Sequence, residues 1–278
     1  MHTAASGLLI GQRLGGYRID ALLGVGGMGT VYAARDRVLR RSVAIKVVDR
    51  ADAAARRALL REARLAASLA HPAICGVHEV GCVGRRPFIV MERVDGRPLS
   101  AVIPRGVGLP VETALHYALQ IVDAVAHAHA RHVVHRDLKA ANVMIDAGGA
   151  VKVLDFGLAI CDTAGDVDTQ TTRVESASGA GTVPYMAPEI LQGRRASPRS
   201  DVWALGVLLH EMLAGARPFE GGTKYELAAS ILERPPAPLP GRVPAVLRRI
   251  VLRCLEKGAD DRFPFAGPLA AALDEVPA

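Results

Sequence analysis

At 278 residues the chain is long enough to bury a sizeable core, as one large domain or as two lobes, and with half its residues apolar and 22% charged it has the composition of a globular protein. No apolar run reaches the ~18 residues that a membrane span needs; the longest candidate, residues 202–216, is interrupted by His210 and Glu211, and the start lacks the charged-then-apolar pattern of a secretory signal. The net charge of +6 is concentrated early, residues 1–91 carrying 14 basic and 6 acidic side chains against 20 and 22 in the remainder, but it neither forms one stripe nor alternates with aromatics, which argues against a nucleic-acid partner.

Cys75, Cys82, Cys161 and Cys254 are scattered without metal-ligand spacing, so reduced thiols in a cytoplasm are expected. Residues 1–16 are small and polar and read as a flexible tail. From Tyr17 the pattern is strand, glycine turn, strand: Tyr17 to Leu23, then Gly24-Val25-Gly26-Gly27-Met28-Gly29, then Thr30-Val31-Tyr32. A dinucleotide-binding glycine motif would open a helix at this point. β-Branched and aromatic residues follow instead, so a hairpin is expected, whose glycines let backbone N–H groups approach phosphates.

Val43 to Val48 is a strand with one charge, Lys46, in its apolar body. Such a lysine must snorkel or be paired. Residues 52–70 read as a helix with Leu59, Glu62, Ala66 and Leu69 on one face. An unpaired Glu62 there would be costly, and a Lys46–Glu62 pair would satisfy both. Residues 87–92 form a buried strand leading into Arg93-Val94-Asp95-Gly96. Pro110 opens a helix to about Arg131 with Leu115, Leu119, Val122 and Ala126 on one face. His127 and His129 lie on different sides of that helix, which argues against a histidine metal site, and His135 is expected to pack in the core.

Residues 135–157 carry the densest chemistry: His135-Arg136-Asp137-Leu138-Lys139-Ala140-Ala141-Asn142, a turn at Gly148-Gly149, and Val151-Lys152-Val153-Leu154-Asp155-Phe156-Gly157. The apolar runs on either side of the turn predict a hairpin. It would bring Asp137, Asn142 and Asp155 together, an oxygen-rich set suited to Mg²⁺. A long polar stretch follows, with Asp162, Asp166 and Asp168 around Thr169, Thr171 and Thr172, and runs on to Gly181-Thr182; it is not expected to hold a fixed structure alone. Then come Ala187-Pro188-Glu189 and Asp201-Val202-Trp203-Ala204-Leu205-Gly206, a proline-rich stiff loop over residues 234–244, and helical patterns at 245–255 and 268–273.

Taken together, these motifs resemble a protein kinase catalytic domain, and the Gly-Met-Gly-Thr-Val-Tyr loop with Thr169-Gln170-Thr171 is most similar to eukaryotic-like bacterial serine/threonine protein kinases. The resemblance covers residues 17–275. It implies an α+β, bilobal fold: a small antiparallel sheet lobe with one helix (17–91), a hinge (92–97) and a larger, mainly helical lobe (98–275), with ATP in the cleft. It implies ATP-dependent phosphorylation of serine and threonine hydroxyls on protein substrates, with ATP and Mg²⁺ as cofactors.

By the same resemblance, Asp137 accepts the substrate proton, Lys139 stabilises the transferred phosphoryl group, Thr182 bonds Asp137, and Lys46 with Glu62 orients the phosphates. Asn142 and Asp155 would hold the metal. Leu23, Gly24, Val25, Gly26, Gly27, Met28, Gly29, Val31, Ala44, Met91 as gatekeeper, Glu92, Val94 and Asp95 would line the nucleotide. The Ala187-Pro188-Glu189 and Asp201-to-Gly206 motifs would close the activation segment and anchor the catalytic loop from below, and Arg262 would pair with Glu189. Arg136 would bind a phosphate on Thr169, Thr171 or Thr172 after autophosphorylation, for which a homodimer would serve in trans. Three departures stand out: His132 where the family usually has Gly, Ala140 where a proline is common, and several extra residues in the segment before Gly181. A pseudokinase scaffold would lack Lys46, Asp137 or Asp155, and a small-molecule kinase would lack Ala187-Pro188-Glu189 and the long segment before it.

Overall fold

The computed structural model describes residues 10–26, 29–48, 63–83, 86–156 and 182–277. They fall into two compact units, one comprising the described residues up to 70 and 75–94 and the other residues 71–74 and the described residues from 95 onward.

The first unit is built on a six-stranded antiparallel sheet. Its strands are β1 (Arg13–Leu14), β2 (Tyr17–Gly26), β3 (Gly29–Asp36), β4 (Ser42–Val47), β5 (Val77–Val83) and β6 (Arg86–Glu92), in the spatial order β1-β2-β3-β4-β6-β5. Alternate side chains of neighbouring strands face one side, as the pleat demands. Ile19, Tyr32, Ala34, Val43, Ile45, Val47, Phe88 and Val90 form one buried cluster with Leu14 and Tyr17. The expected tail over residues 1–16 is corrected at its end: Arg13 and Leu14 pair with Arg18 and Tyr17, and Gly11 donates its N–H to Ile19 O at 2.8 Å. A two-residue strand is too short to leave a periodicity that sequence reading could detect.

The glycines of the β2–β3 turn have different reasons to be glycine. A Cβ on Gly24 would meet nothing within 4 Å, so that stretch of backbone is open to a ligand. Gly29 sits at φ +139°, and a Cβ there would lie 2.1 Å from Val47 O. Only glycine lets β3 start so close to the end of β4. Of the predicted 52–70 helix, residues 63–67 are helical; Glu62 and everything before it back to residue 49 lie outside the described residues.

The second unit is mainly helical. Its principal helices are Val111–His129, Pro198–Ala214, Lys224–Glu233, Ala245–Cys254 and Ala266–Asp274, with a three-stranded antiparallel sheet of β7 (Gly96–Pro98), β8 (Val143–Asp146) and β9 (Val151–Val153). The predicted hairpin is thus β8–β9, with Val143 opposite Val153 and Ile145 opposite Val151. The Pro198–Ala214 helix buries nearly every residue, including Asp201, Trp203 and His210. It starts at a reciprocal Ser197–Ser200 capping box and stops at Gly215 in the left-handed conformation (φ +70°). Gly206 belongs to close packing: a Cβ there would lie 2.6 Å from Cys254 Cβ.

The Val111–His129 helix buries Leu115, Ala118, Val122, Val125 and His129 on its inner face, whereas the expected Leu119 and Ala126 are only half-buried. Small alanines make this stripe hard to read by hydrophobicity alone. His71–Ile74 belongs to this second unit because Val153 N–H donates to Ala73 O at 2.8 Å and His71 Nε2 meets Asp123 Oδ2 at 3.0 Å. The Arg234–Pro244 stretch connects two helices, as its prolines suggested. No described helix is long and apolar enough to cross a membrane.

Candidate active site

In the second unit the loop from Val133 to Asn142 is fixed from a buried carboxylate. Asp201, 1% exposed, accepts backbone N–H groups from His135 (2.7 Å) and Arg136 (3.0 Å), and His129 Nε2 at 2.9 Å. His129 Nδ1 accepts from Ala266 N–H at 3.1 Å, so its proton is on Nε2 and points at Asp201. Three donors satisfy a charge that would otherwise be expensive to bury. They also hold Arg136 at φ +70°, a conformation that a non-glycine residue does not adopt unaided.

His135 is fully buried, as expected. Its Nδ1 accepts from Asp137 N–H at 3.3 Å, its Nε2–H donates to Leu154 O at 2.9 Å, and its ring stands 4.6 Å from that of Phe156. One imidazole therefore ties the loop before Asp137 to the strand end before Asp155. Leu154 N–H in turn donates to Asn142 O at 2.8 Å. Asp155, at φ +58°, follows the anchored Leu154 directly in the chain.

The Asp137 carboxylate is the centre of the site. Lys139 Nζ donates to both of its oxygens, at 3.0 and 2.8 Å, and Asn142 Nδ2 donates to Oδ2 at 3.0 Å. Thr182 Oγ1 donates to Oδ1 at 3.2 Å while accepting from Lys139 Nζ at 3.0 Å. Asn142 Nδ2 also donates to Asp137 O at 2.8 Å, which fixes the amide and leaves Oδ1 as the free ligand atom of that side chain. Thr182 is itself held by the turn it opens. Tyr185 of that turn donates its hydroxyl to Glu211 on the long buried helix, and burial together with that carboxylate pushes the phenol's pKa upward.

The donor set suits Mg²⁺. Asn142 Oδ1 and the Asp155 carboxylate would offer hard oxygen donors, few enough for such an ion to keep other oxygen ligands. In the first unit Lys46 is buried (8% exposed) on β4, opposite Val31 of β3 and Ile89 of β6. Ala44 and Met91 are cross-strand partners and both are buried. Leu23 and Val25 are exposed. The Glu92 N–H donates to Gly76 O at 2.8 Å, and its carbonyl accepts from Cys75 Sγ at 3.5 Å. Gly27, Met28, Glu62, Gly157, Thr169, Thr171 and Thr172 lie outside the described residues.

Further along the second unit, Glu189 (6% exposed) receives a bidentate contact from Arg262, Nη1 to Oε1 at 3.0 Å and Nη2 to Oε2 at 2.9 Å, as the resemblance implied. Ser200 Oγ adds a third bond at 2.8 Å. Burial by itself raises the carboxyl's pKa, but the Arg262 guanidinium and the hydrogen bonds outweigh it and hold the group below the ordinary 4.5. His129 and Asp201 are the positioning residues whose link sequence reasoning missed. They are 72 positions apart; the one available signal was that His129 continues the 115-118-122-125 stripe.

Residues 17–269 match the family model described as protein kinase domain. The chain is 39% identical over 276 residues to the serine/threonine-protein kinase PknA of Mycobacterium tuberculosis, covering 96% of this chain and 63% of that protein. It is 38% identical to PrkC of Bacillus subtilis, covering 96% of this chain and 41% of that protein, and 36% identical to PknB of Mycobacterium leprae, covering 94% and 43%. The chain therefore spans between about two fifths and three fifths of the length of these relatives. With the catalytic-loop geometry and a match over nearly its whole length, the chain belongs to the protein kinase domain family.

Proposed function

We propose that the protein transfers the γ-phosphoryl group of ATP to serine and threonine hydroxyls of proteins. The observation that carries this reading is the Asp137 carboxylate with Lys139 Nζ and the Thr182 hydroxyl both on its oxygens. A substrate hydroxyl entering beside Thr182 would donate to Asp137, which would orient it and take its proton as the new O–P bond forms and the bond from the γ-phosphorus to the bridging oxygen breaks, ADP leaving with that electron pair. Lys139 would then shift from Asp137 toward the transferred phosphoryl oxygens and offset their charge. Asn142 and Asp155 would hold Mg²⁺, which would supply positive charge to offset that of the phosphates. Lys46, paired with Glu62, would position the α- and β-phosphates, with Gly24 to Gly29 over them. Leu23, Val31, Ala44, Met91, the Glu92 carbonyl, Val94 and Asp95 would receive the adenosine.

The same reading places the chemistry in a cytoplasm, where ATP is present and the free thiols Cys75, Cys82 and Cys254 stay reduced. It makes a second copy of the chain a first substrate, phosphorylated on Thr169, Thr171 or Thr172 and held there by Arg136. Labelled ATP, Mg²⁺ and a host lysate, followed by phosphoamino-acid analysis, test it. Phosphoserine and phosphothreonine are expected with the native chain and not with Asp137→Asn. Phosphotyrosine alone, or equal labelling by both, would overturn it.

A further inference from the structure

The register of the first sheet stacks like charges. Arg13 is the cross-strand partner of Arg18, and Arg18 of Arg35. Three arginines on three neighbouring strands therefore share one exposed face, with the strands roughly 4.8 Å apart. Like charges directly opposite one another destabilise a sheet, so the fold gains nothing from this row. Arg37 and Arg40 follow in the β3–β4 turn. With Arg18, Arg35 and Asp36 they line an open depression of about 310 Å³.

Little on this face neutralises it. Asp20 meets Arg18 Nε at 3.0 Å, but Arg35, Arg37 and Arg40 have no carboxylate partner among the described residues. Asp36 is committed elsewhere: Oδ1 accepts the N–H groups of Val38 and Leu39, both at 3.0 Å, and Oδ2 faces Arg41 Nε at 3.7 Å. It thereby fixes the turn, in which Arg40 stands at φ +55°. Lys46 pairs with Val31 near one end of β3 and Arg35 with Ser42 at the other. Four residues at 3.3 Å each set the two about 13 Å apart along the strand, so the row is no part of the proposed nucleotide site.

We propose that this depression binds the phosphate of a phosphorylated serine or threonine in a protein partner. Planar guanidinium forks grip phosphate oxygens two at a time, and several around one hollow suit a dianion presented on a side chain. The exposed Val38 (82%) and Leu39 (63%) beside it offer apolar contact to the flanking residues of such a segment. Concavity favours this ligand over a flat anionic membrane, and a second copy would bring its own arginine row against this one.

The test uses the Asp137→Asn chain, so that its outcome does not depend on phosphotransfer. Fluorescence anisotropy compares a labelled peptide carrying one phosphothreonine with its unphosphorylated twin. The phosphorylated form should bind at least about tenfold tighter, a preference lost in the Arg18→Gln/Arg35→Gln variant and weakened by Arg40→Gln alone. The double variant should also melt about 1–3 °C higher, because the repulsion is gone. No phosphate preference, or one that survives the double variant, overturns the proposal. So does arginine-dependent binding to vesicles with 30% anionic lipid in the absence of peptide binding, which would assign the face to a membrane.

Discussion

Asp137 and Glu189 are both carboxylates paired with a cation in the same unit, and the two surroundings differ in one decisive respect. Glu189 faces a guanidinium whose five N–H groups are all used: two on Glu189, one each on Glu256 O (2.7 Å), Arg199 O (3.2 Å) and Lys257 O (3.1 Å). The Arg262 side chain is 0% exposed, and its guanidinium lies 4.9 Å from the Trp203 ring centroid. No partner can leave without stranding a buried charge. Asp137 and Lys139 keep 12% and 19% of their side-chain surface, and Lys139 is a flexible point charge rather than a fork. Such a pair can exchange partners when a substrate arrives. The same ion-pair chemistry thus fixes a fold in one place and stays available for a reaction in the other.

The largest expected effect comes from breaking the buried pair. Glu189→Ala or Arg262→Met alone should lower stability by about 3–5 kcal/mol, and the double change by much less than the sum. Lys139→Met, by contrast, should stay within roughly 0.5–1 kcal/mol of the native chain. Urea unfolding distinguishes them, and equal losses at both sites would erase the comparison. Asp137→Asn should leave the unfolding midpoint nearly unchanged while cutting turnover by about 10² or more. Loss of fold and activity together would mean that Asp137 is structural.

Much of this was legible in the sequence where chemistry and spacing are local. The β8–β9 hairpin, the strand–glycine–strand start and the Pro110-led helix follow from turn residues, alternation and a helix-opening proline. What was not legible depends on register or distant partners. The arginine row needs the β2–β3 pairing, whose bulges after Ile19 and Leu22 no composition reveals. The transfer of His71–Ile74 to the second unit rests on contacts to distant partners, the Ile74–Val153 bridge and the His71–Asp123 pair among them. That Asp201, 65 residues from Arg136, anchors the loop was implied by the resemblance; that it does so by holding Arg136 at φ +70° was not legible.

A smaller effect reads the Glu189–Arg262 pair by acid. Glu189 has its folded pKa below the ordinary 4.5, so its contribution to stability is complete above about that pH and is lost as pH falls through the lowered value. The native chain should therefore weaken on acidification below pH 4.5, and the Glu189→Gln/Arg262→Met variant should weaken less steeply. Parallel stability curves for the two would show that Glu189 does not carry this acid sensitivity.

The smallest effect concerns the approach to the Asp137 loop. The Val111–His129 helix ends with Val133 N–H donating to Ala128 O at 3.0 Å and His132 N–H to His129 O at 2.9 Å, the bond pair of a Schellman motif. His132 occupies the position where that motif favours glycine, and it sits at φ +60°. A left-handed non-glycine residue costs about 1–2 kcal/mol, whereas a glycine adds about 0.5–1 kcal/mol of unfolded-state entropy. His132→Gly should then gain up to about 1 kcal/mol, and His132→Ala, which keeps the strain, should gain nothing. The ring is exposed, so neither change leaves a cavity. Because Asp201 clamps His135 and Arg136 independently, turnover should not move. A stabilisation by alanine equal to that by glycine would show that the left-handed turn stores no strain, and a fall in activity with glycine would show that this turn, and not Asp201 alone, positions Asp137.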